Sequence, residues 1–533
     1  MKNLFILIAL LFTFASCERE KELVMPESTI SILNYDGGAL VQEPEGNITI
    51  DMTMQSLAGV QKIEVVVDGQ VKETITVEDA FTYEYSYNYQ IPATAATGTL
   101  YNIVFTMTDK AGKTVSSRPV SVLVNQPYSI EEINLYATVL QRVRGKVTKD
   151  ITFTNDKKWL IDSVVSIEEG ATLTIQPGTT VYFRTFNNAA MISLLSVQRG
   201  AKIIADGGSR NTPIVFTSDK TLQGAGQRGD WGGLLIHGGA PSNVGSTVLR
   251  DGFRYGGTNA AENSGILRFV RIEYSGKGSF HSLALFGVGS GTTVQYVQSY
   301  DSYNNAFRIR GGRVSLKYIA GLQHGGYGIW ADEGWQGNGQ FWLFQTGIAA
   351  TLLPVNYWNQ ARSIEFRNDD LFYDKAPRTT FRLSNITLIG NGYQSGAANG
   401  TRRGIRVRTG STGTIQNAII TEFPDDAVRV EDLPTTSYGT SMIIDNFHAF
   451  NNLNNYADDA EEIFLNSGNY NLQETAVSGI SKDNFAGTAN STYNPTSFGT
   501  WFTSAPYIGA VDSANDWTKG GTWFKDKNGN FRQ

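Results

Sequence analysis

A strand that recurs with a fixed period is the feature of this sequence that most restricts its fold. NAFRIRGG (residues 305–312) is followed by GYGIWADEG (326–334), RRGIRVRTG (402–410) and DDAVRVED (425–432). Phe307 and Ile329 are 22 residues apart, and Ile405 and Val428 are 23 apart. Alternation along each strand predicts that these four apolar residues point inward and form one wall. A period of this size indicates a solenoid, in which stacked repeats bury a shared core.

A second type of strand precedes copies of the first at a constant number of residues. Val294, Leu316 and Ile415 each lie thirteen residues before the matching apolar residue of the next strand. The period is too short for a propeller blade and lacks the leucine and asparagine pattern of leucine-rich repeats. SIEEGATLTI and SVQRGAKIIA, which align with Gly170 and Gly200 thirty residues apart, resemble the first rungs of right-handed parallel β-helix proteins. We therefore predict such a β-helix over residues 135–507, with a C-terminal cap or tail at 508–533.

The N-terminal segment has the pattern of a secretory leader. MKNLFILIALLFTFASC combines a lysine, a short apolar run and small residues before Cys17, the one cysteine of the chain. FASC resembles a bacterial lipobox, which implies a signal peptide at residues 1–17 and lipidation of Cys17. EREKE behind it resembles the surface-export signal of Bacteroidota lipoproteins. We expect a lipid-anchored protein on the outer face of the outer membrane. The alternative location is the periplasmic face of that membrane. The alternative to lipidation is ordinary signal-peptide cleavage beside an incidental cysteine.

The residues between the leader and the solenoid have a different sequence pattern. After a linker at residues 18–25, residues 26–125 contain alternating strands with turns at Asp68-Gly69 and at residues 109–112. The stretch FTMTDKAGKTVS resembles the end of a bacterial immunoglobulin-like domain, a type of domain that usually acts as a spacer. The predicted fold class is therefore all-β: an immunoglobulin-like β-sandwich followed by a right-handed parallel β-helix.

Three longer motifs carry a family resemblance over roughly residues 150–525. They are RGDWGGLLIHGGAPSN (228–243), RYGGTNAAENSGILRFVRIEYSG (254–276) and APYIGAVDSANDWTKGGTWF (505–524). Together they resemble a family of Bacteroidota β-helix surface lipoproteins. The resemblance implies the fold and location but brings no reaction with it, and fold alone does not supply function.

Charge and composition narrow the class of partner. The net charge is −6, and no run of lysine and arginine appears, so we expect no nucleic-acid partner. With one cysteine there is neither a disulfide framework nor a cysteine-based zinc site.

Aromatic residues supply the candidate ligand-binding site. In GIWADEGWQGNGQFWLF, inward Ile329 predicts that Trp330 points outward, beside two acids, where it can stack on a sugar or a peptide side chain. Nine extra residues lie in the segment 390–403, and such insertions map to loops of the binding face. The predicted ligand-binding residues are Trp330, Asp332, Glu333, Trp335, Trp342, Trp358 and Tyr393. The alternative for the aromatic rings is packing under an adjacent loop. The alternative for the inserted segment is that it has no role in binding.

Two acidic clusters give weaker candidates. Asp425 and Asp426 resemble the paired aspartates of pectin-degrading hydrolases, although the remaining motifs of that pattern are absent; a charged turn is the alternative. In NNYADDAEE, the carboxylates of Asp458, Asp459, Glu461 and Glu462 are hard ligands suited to calcium, without EF-hand spacing. A solvated helical turn explains them equally well, and no cofactor is otherwise predicted.

These features favour a non-catalytic binding module. We expect capture of a glycan, a peptide or an outer-membrane protein partner, in a role accessory to a nutrient importer. The alternative is a polysaccharide lyase or glycoside hydrolase that uses carboxylates on the face of the β-helix.

Overall fold

A computed structural model describes residues 27–96, 98–125, 127–250, 252–346, 362–392, 403–466, 474–481 and 483–533. The chain divides into two compact units, residues 1–127 and 128–533. Strands dominate both, which confirms the all-β class. Among the described residues no helix is both long enough and apolar enough to cross a membrane.

The first unit is a seven-stranded sheet in the order β1-β3-β5-β7-β2, with β4 paired to β3 and β6 paired to β5. The predicted turn at Asp68-Gly69 joins β3 to β4; both residues have positive φ (48° and 79°), as a two-residue hairpin turn requires. The second predicted turn joins β5 to β6. The immunoglobulin-like assignment of this sheet stays a prediction. The strands are β1 (Thr29–Ile32), β2 (Leu40–Gln42), β3 (Asn47–Val67), β4 (Gln70–Gln90), β5 (Leu100–Asp109), β6 (Thr114–Ser116) and β7 (Val120–Val124).

The second unit is a parallel β-helix, in which the strands of successive turns pair in parallel. Two short antiparallel pairs, residues 248–250 with 253–255 and 489–490 with 507–508, lie outside this ladder. An antiparallel hairpin, β8–β9, begins the coil, and a short helix, α1 (Ala460–Asn466), follows its last strand. The strands are β8 (Tyr128–Leu135), β9 (Thr138–Val147), β10 (Ile151–Phe153), β11 (Trp159–Ile167), β12 (Thr172–Ile175), β13 (Thr180–Phe183), β14 (Leu194–Val197), β15 (Lys202–Asp206), β16 (Ile214–Ser218), β17 (Leu234–His237), β18 (Val248–Arg250), β19 (Phe253–Tyr255), β20 (Gly265–Glu273), β21 (Leu283–Phe286), β22 (Thr293–Tyr300), β23 (Phe307–Arg310), β24 (Ser315–His324), β25 (Ile329–Asp332), β26 (Asn338–Thr346), β27 (Arg362–Arg367), β28 (Thr380–Ile389), β29 (Arg403–Arg408), β30 (Thr412–Thr421), β31 (Asp426–Val430), β32 (Met442–Phe450), β33 (Asn454–Asp458), β34 (Ala489–Asn490) and β35 (Tyr507–Ile508).

The register predicted from the period is confirmed. Phe307 pairs with Ile329, Ile329 with Ile364, Ile364 with Ile405, and Ile405 with Val428. All five side chains are buried in one continuous core. The alignment of the early rungs is also confirmed, because β12 pairs with β15 thirty residues later.

The long strands bend at one corner of the coil, where a left-handed residue interrupts each ladder. These corner residues lie above one another in a column. Each has a φ between 50° and 59°, and the aromatic rings of the first four stack at centroid distances of 4.4–4.5 Å. Asparagine tolerates left-handed backbone, whereas an aromatic residue there is unusual and needs support from its surroundings. The column consists of Phe269, Tyr296, Tyr318, Phe341, Asn385, Asn417 and Asn446.

The C-terminal segment corrects the predicted end of the coil. The parallel ladder ends at Asp458, not near residue 507, and residues 483–533 form a strap that runs back along the outside of earlier turns. The strap is bonded along its length, since Asn385 donates to the carbonyls of Ala505 and Tyr507, and Gln298 donates to that of Lys525. Buried aromatic and aliphatic side chains fill the space between strap and coil.

Candidate functional site

Side chains on the outer surface of β23, β25, β27, β29 and β31 include many arginines and carboxylates, which form ion pairs across the strands. We call this surface the charged wall. The same alternation that buries Phe307 and its partners turns the intervening residues outward. One outward column is continuous in register: Arg308, Trp330, Glu365, Arg406 and Arg429. Neighbouring strands lie about 4.8 Å apart, so the column runs over roughly 19 Å.

Trp330 lies where the sequence predicted, on the outside of β25 next to buried Ile329. Its half-buried ring is flanked by two guanidinium groups, with the Arg308 carbon 3.9 Å and the Arg367 carbon 4.7 Å from the ring centroid. These cations come from the strands on either side of β25. Cation–π contacts of this kind hold the ring in one orientation, so the Trp330 side chain is part of a preorganised cluster and does not rotate freely.

A cavity of about 390 Å³ lies against this cluster. Its rim carries the exposed side chains of Val244, Asp370 and Leu371, so it reaches the protein surface. Its remaining lining is polar and charged, apart from the Trp330 ring: Arg308, Arg310, Trp330, Asp332, Glu333, Arg367, Asn368 and Asp369. The structure therefore brings three predicted residues, Trp330, Asp332 and Glu333, to one cavity.

Charges around the cavity are matched in pairs. Arg308 donates to Asp332 at 2.6 Å, and Arg310 donates to Glu333, which also accepts from the Tyr255 hydroxyl. Burial lowers the pKa of the Arg308 guanidinium, although Asp332 opposes that shift. Loss of Asp332 would leave the charge of Arg308 buried and uncompensated, which is strongly unfavourable.

Glu365 is the centre of the charged wall. Its carboxylate is fully buried and contacts Arg362 at 3.0 Å, Arg367 at 2.8 Å and Arg408 at 2.9 Å. Burial alone would raise the pKa of Glu365, but the three guanidinium groups outweigh it and the pKa is lowered. Glu365 is therefore ionised, and its carboxylate forms ion pairs with arginines from two adjacent strands, β27 and β29.

Asp425 and Asp426 stand at the start of β31 and are also held by arginines. Arg403 contacts Asp425 at 2.8 Å and Asp426 at 2.9 Å, and Arg429 contacts Asp426 at 2.8 Å. Burial raises the pKa of Asp425, and the adjacent Asp426 adds to this. Burial also acts to raise the pKa of Asp426, but hydrogen bonds from Arg403, Asn454 and Arg429 outweigh it and lower the pKa.

Trp335 and Trp342 correct the prediction of a surface aromatic cluster. Both side chains are fully buried in the coil, and their indole nitrogens donate to the carbonyls of Val314 and Leu316. Phe341, the residue before Trp342, has a left-handed backbone conformation. This bend interrupts the alternation of inward and outward side chains along the strand, so the Trp342 side chain points inward. Neither ring can stack on a ligand.

The remaining predicted positions divide in two groups. Trp358, Tyr393 and Cys17 lie outside the described residues. The four acids near α1 do not make a calcium site, because no group of three or more His, Asp, Glu or Cys side chains within the described ranges could hold a metal ion. Asp458 instead contacts Arg429 at 3.1 Å.

The arginines of the charged wall were missed as functional candidates, although the sequence carried their signal. FRIR, IRVR and AVRV place arginine between the inward apolar residues, and the confirmed register then stacks them. Eight arginines of this surface each lie within 4 Å of a carboxylate: Arg308, Arg310, Arg362, Arg367, Arg403, Arg406, Arg408 and Arg429.

Comparison with known proteins gives a family match and distant structural likenesses. Residues 145–520 match the family described as pectate-lyase like beta helix domain. The structure of pectate lyase PelI from Erwinia chrysanthemi in complex with tetragalacturonic acid is similar at 8% identity, over 84% of this chain and 97% of that chain, with a TM-score of 0.12. Pectate lyase Pel3 from Pectobacterium carotovorum is similar at 10% identity, over 81% and 86%, with a TM-score of 0.11. Such scores transfer no residue role. Among curated proteins none matches the sequence.

Proposed function

The chain belongs to the pectate-lyase-like β-helix family, and from that premise we propose that it binds a saccharide at the charged wall without cleaving it. The observation that carries the proposal is the cavity beside Trp330, on a wall that continues in register over five strands. A rigid, extended surface of this kind suits a linear polymer. Family membership favours a saccharide over a peptide or a protein partner.

Binding is favoured over cleavage by the state of the carboxylates. Glycoside hydrolysis needs one carboxyl group as an acid and a second, available carboxylate as a base or nucleophile. On the charged wall, Asp332, Glu365, Asp426 and Glu431 each accept hydrogen bonds from arginine. These ion pairs balance the carboxylate charges and hold the side chains in place, which disfavours their use as the acid or the nucleophile of hydrolysis.

The test is truncation of the ring at the cavity. Trp330→Ala should weaken saccharide binding by about thirtyfold, since loss of a central aromatic contact typically costs about 2 kcal/mol. Trp501→Ala is the matched control, because Lys317 lies 4.4 Å from its ring centroid but Trp501 belongs to the strap. Affinity electrophoresis in gels that contain xylan, galactan, β-glucan or polygalacturonate measures both variants.

An equal loss of affinity in both variants, with unfolding curves unchanged, would contradict a site at Trp330. Retention of the Trp330→Ala variant by every gel that retains the parent protein would do the same. Far-UV circular dichroism of each variant separates loss of the site from loss of the fold.

Cleavage is the second candidate, and the divergent pKa values of Asp425 and Asp426 favour it. A neighbouring pair with one raised and one lowered pKa is the arrangement that assigns an acid and a base. Release of reducing ends, or of unsaturated products, from any of these polysaccharides would support this candidate if Asp425→Asn and Asp426→Asn abolished it. With binding alone, neither substitution generates or removes product.

We further propose that the protein is a surface lipoprotein of the outer membrane, anchored through Cys17, with an immunoglobulin-like spacer. The support is the leader, the FASC junction and the composition of residues 26–125. Cys17→Ala should move the protein from the membrane fraction to the soluble fraction, or leave it unprocessed. Proteinase added to intact cells distinguishes the external face from the periplasmic one. A binding protein there would serve a nutrient importer.

A further inference from the structure

Each arginine of the cavity has a carboxylate partner. Arg308 pairs with Asp332, and Arg310 pairs with Glu333. Arg367 contacts Glu365 at 2.8 Å and, at the rim, the exposed Asp370 at 3.6 Å. Asp369 of the lining accepts from Lys375, which lies outside the cavity, at 2.8 Å. The rest of the charged wall follows the same rule, because its other arginines contact Glu365, Asp425, Asp426 or Glu431.

This pairing opposes an anionic ligand. A carboxylate or sulfate group gains from an arginine only when that arginine is available, and here each one already has a partner. Arg308 is fully buried and Asp332 nearly so, and separating a buried pair leaves an uncompensated charge, which is strongly unfavourable. The carboxylates that remain in place also repel an anion.

The same pairing suits a neutral polyhydroxyl ligand. Each sugar hydroxyl offers one donor and accepts through its oxygen, so it bonds to a guanidinium and a carboxylate at the same time. Paired side chains supply both kinds of group side by side. Bonds to charged groups are also the stronger kind, which compensates for displaced water.

We infer that the ligand of the charged wall is an uncharged saccharide and not a polyanion such as a polyuronate. This inference rests on the proposed function, because it names the class of saccharide bound at that site. It sets the chain apart from the pectate lyase seen with tetragalacturonic acid, whose ligand is anionic.

The experiment measures the affinity of the purified full chain for xylan, galactan and β-glucan, and for polygalacturonate with and without added CaCl₂. We expect binding to at least one neutral polymer, with an affinity that changes by less than about twofold between low and high NaCl, since screening acts on net charge interactions. Preference for polygalacturonate, in either calcium condition, overturns the inference and leaves the proposed saccharide site standing. Failure to bind any polymer overturns both.

A charge variant adds an independent readout. Asp370→Asn removes the exposed partner of Arg367 at the cavity rim and should raise affinity for polygalacturonate by about twofold to fivefold, the range expected for one exposed ion pair. Asp374→Asn removes the same charge from an exposed position of the same loop, outside the cavity lining, and should change nothing. If both variants respond alike, the paired charges of the cavity do not set selectivity and the inference is wrong.

Discussion

Substitution of Glu365 by glutamine should destabilise the coil more than removal of any exposed carboxylate. The change keeps the shape of the side chain but leaves three arginines around a neutral amide, in a position from which solvent is excluded. Removing one partner of a buried ion pair typically costs about 3–5 kcal/mol, because the remaining charge stays buried and unpaired. Since Glu365 is fully buried, no reduction for solvent screening applies. We therefore expect about 3–5 kcal/mol less free energy of unfolding.

Urea unfolding followed by tryptophan fluorescence measures the difference, with Glu169→Gln as the control. Glu169 is exposed in a turn of the same coil, and exposed substitutions away from special features stay within about 0.5 kcal/mol. The pH dependence gives a second check. The lowered pKa of Glu365 means that its stabilisation is complete above the unfolded carboxyl pKa and is lost as pH falls through the folded value. The difference between parent and variant should therefore shrink in acid.

Two results would refute this reasoning. Equal unfolding of the Glu365→Gln and Glu169→Gln proteins would mean that the three arginines find water or other partners when the carboxylate is gone. A difference that grows as pH falls would mean that Glu365 is protonated in the folded protein.

Three further outcomes are expected. Trp342→Ala should cost about 3–5 kcal/mol of stability through the cavity it leaves, measured by thermal unfolding, and stability loss alone should account for any change in binding. Asn417→Ala removes the hydrogen bond to the Tyr493 carbonyl and places alanine at a φ of 59°, so limited proteolysis should release the strap faster, at a stability cost of about 1–3 kcal/mol. Burial lowers the pKa of His237 to about 4, so the parent should lose stability as pH falls from about 6.5 towards that value; His237→Phe should remove this dependence in acid unfolding curves.

The stacking of the coil was predictable because it depends on contacts that repeat at a fixed short spacing. Alternation within a strand decides which side chain is inward, and the period decides which residue lies above which. Phe307, Ile329, Ile405 and Val428 therefore fell into one column as expected. The outward arginines follow from the same two rules, and only their chemical importance was missed.

The strap and the two buried tryptophans could not be predicted in this way. Gln298 contacts Lys525 across 227 positions, and nothing periodic in the sequence connects them. Trp342 turned inward because Phe341 takes a left-handed conformation, which simple alternation does not anticipate. The pairing of Glu365 with three arginines depends on side-chain geometry across two turns, which the pattern of apolar residues does not encode.

The strap changes how this coil is expected to fold and unfold. In an ordinary solenoid each turn contacts only its neighbours, so folding spreads along the array and the ends fray independently. Here the last residues of the chain bond to early turns, as Thr522 does to the Arg210 carbonyl and Lys525 to Gln298. Such distant contacts raise the contact order and slow folding. They also join early and late turns into one cooperative unit, which is complete only after the strap has been synthesised.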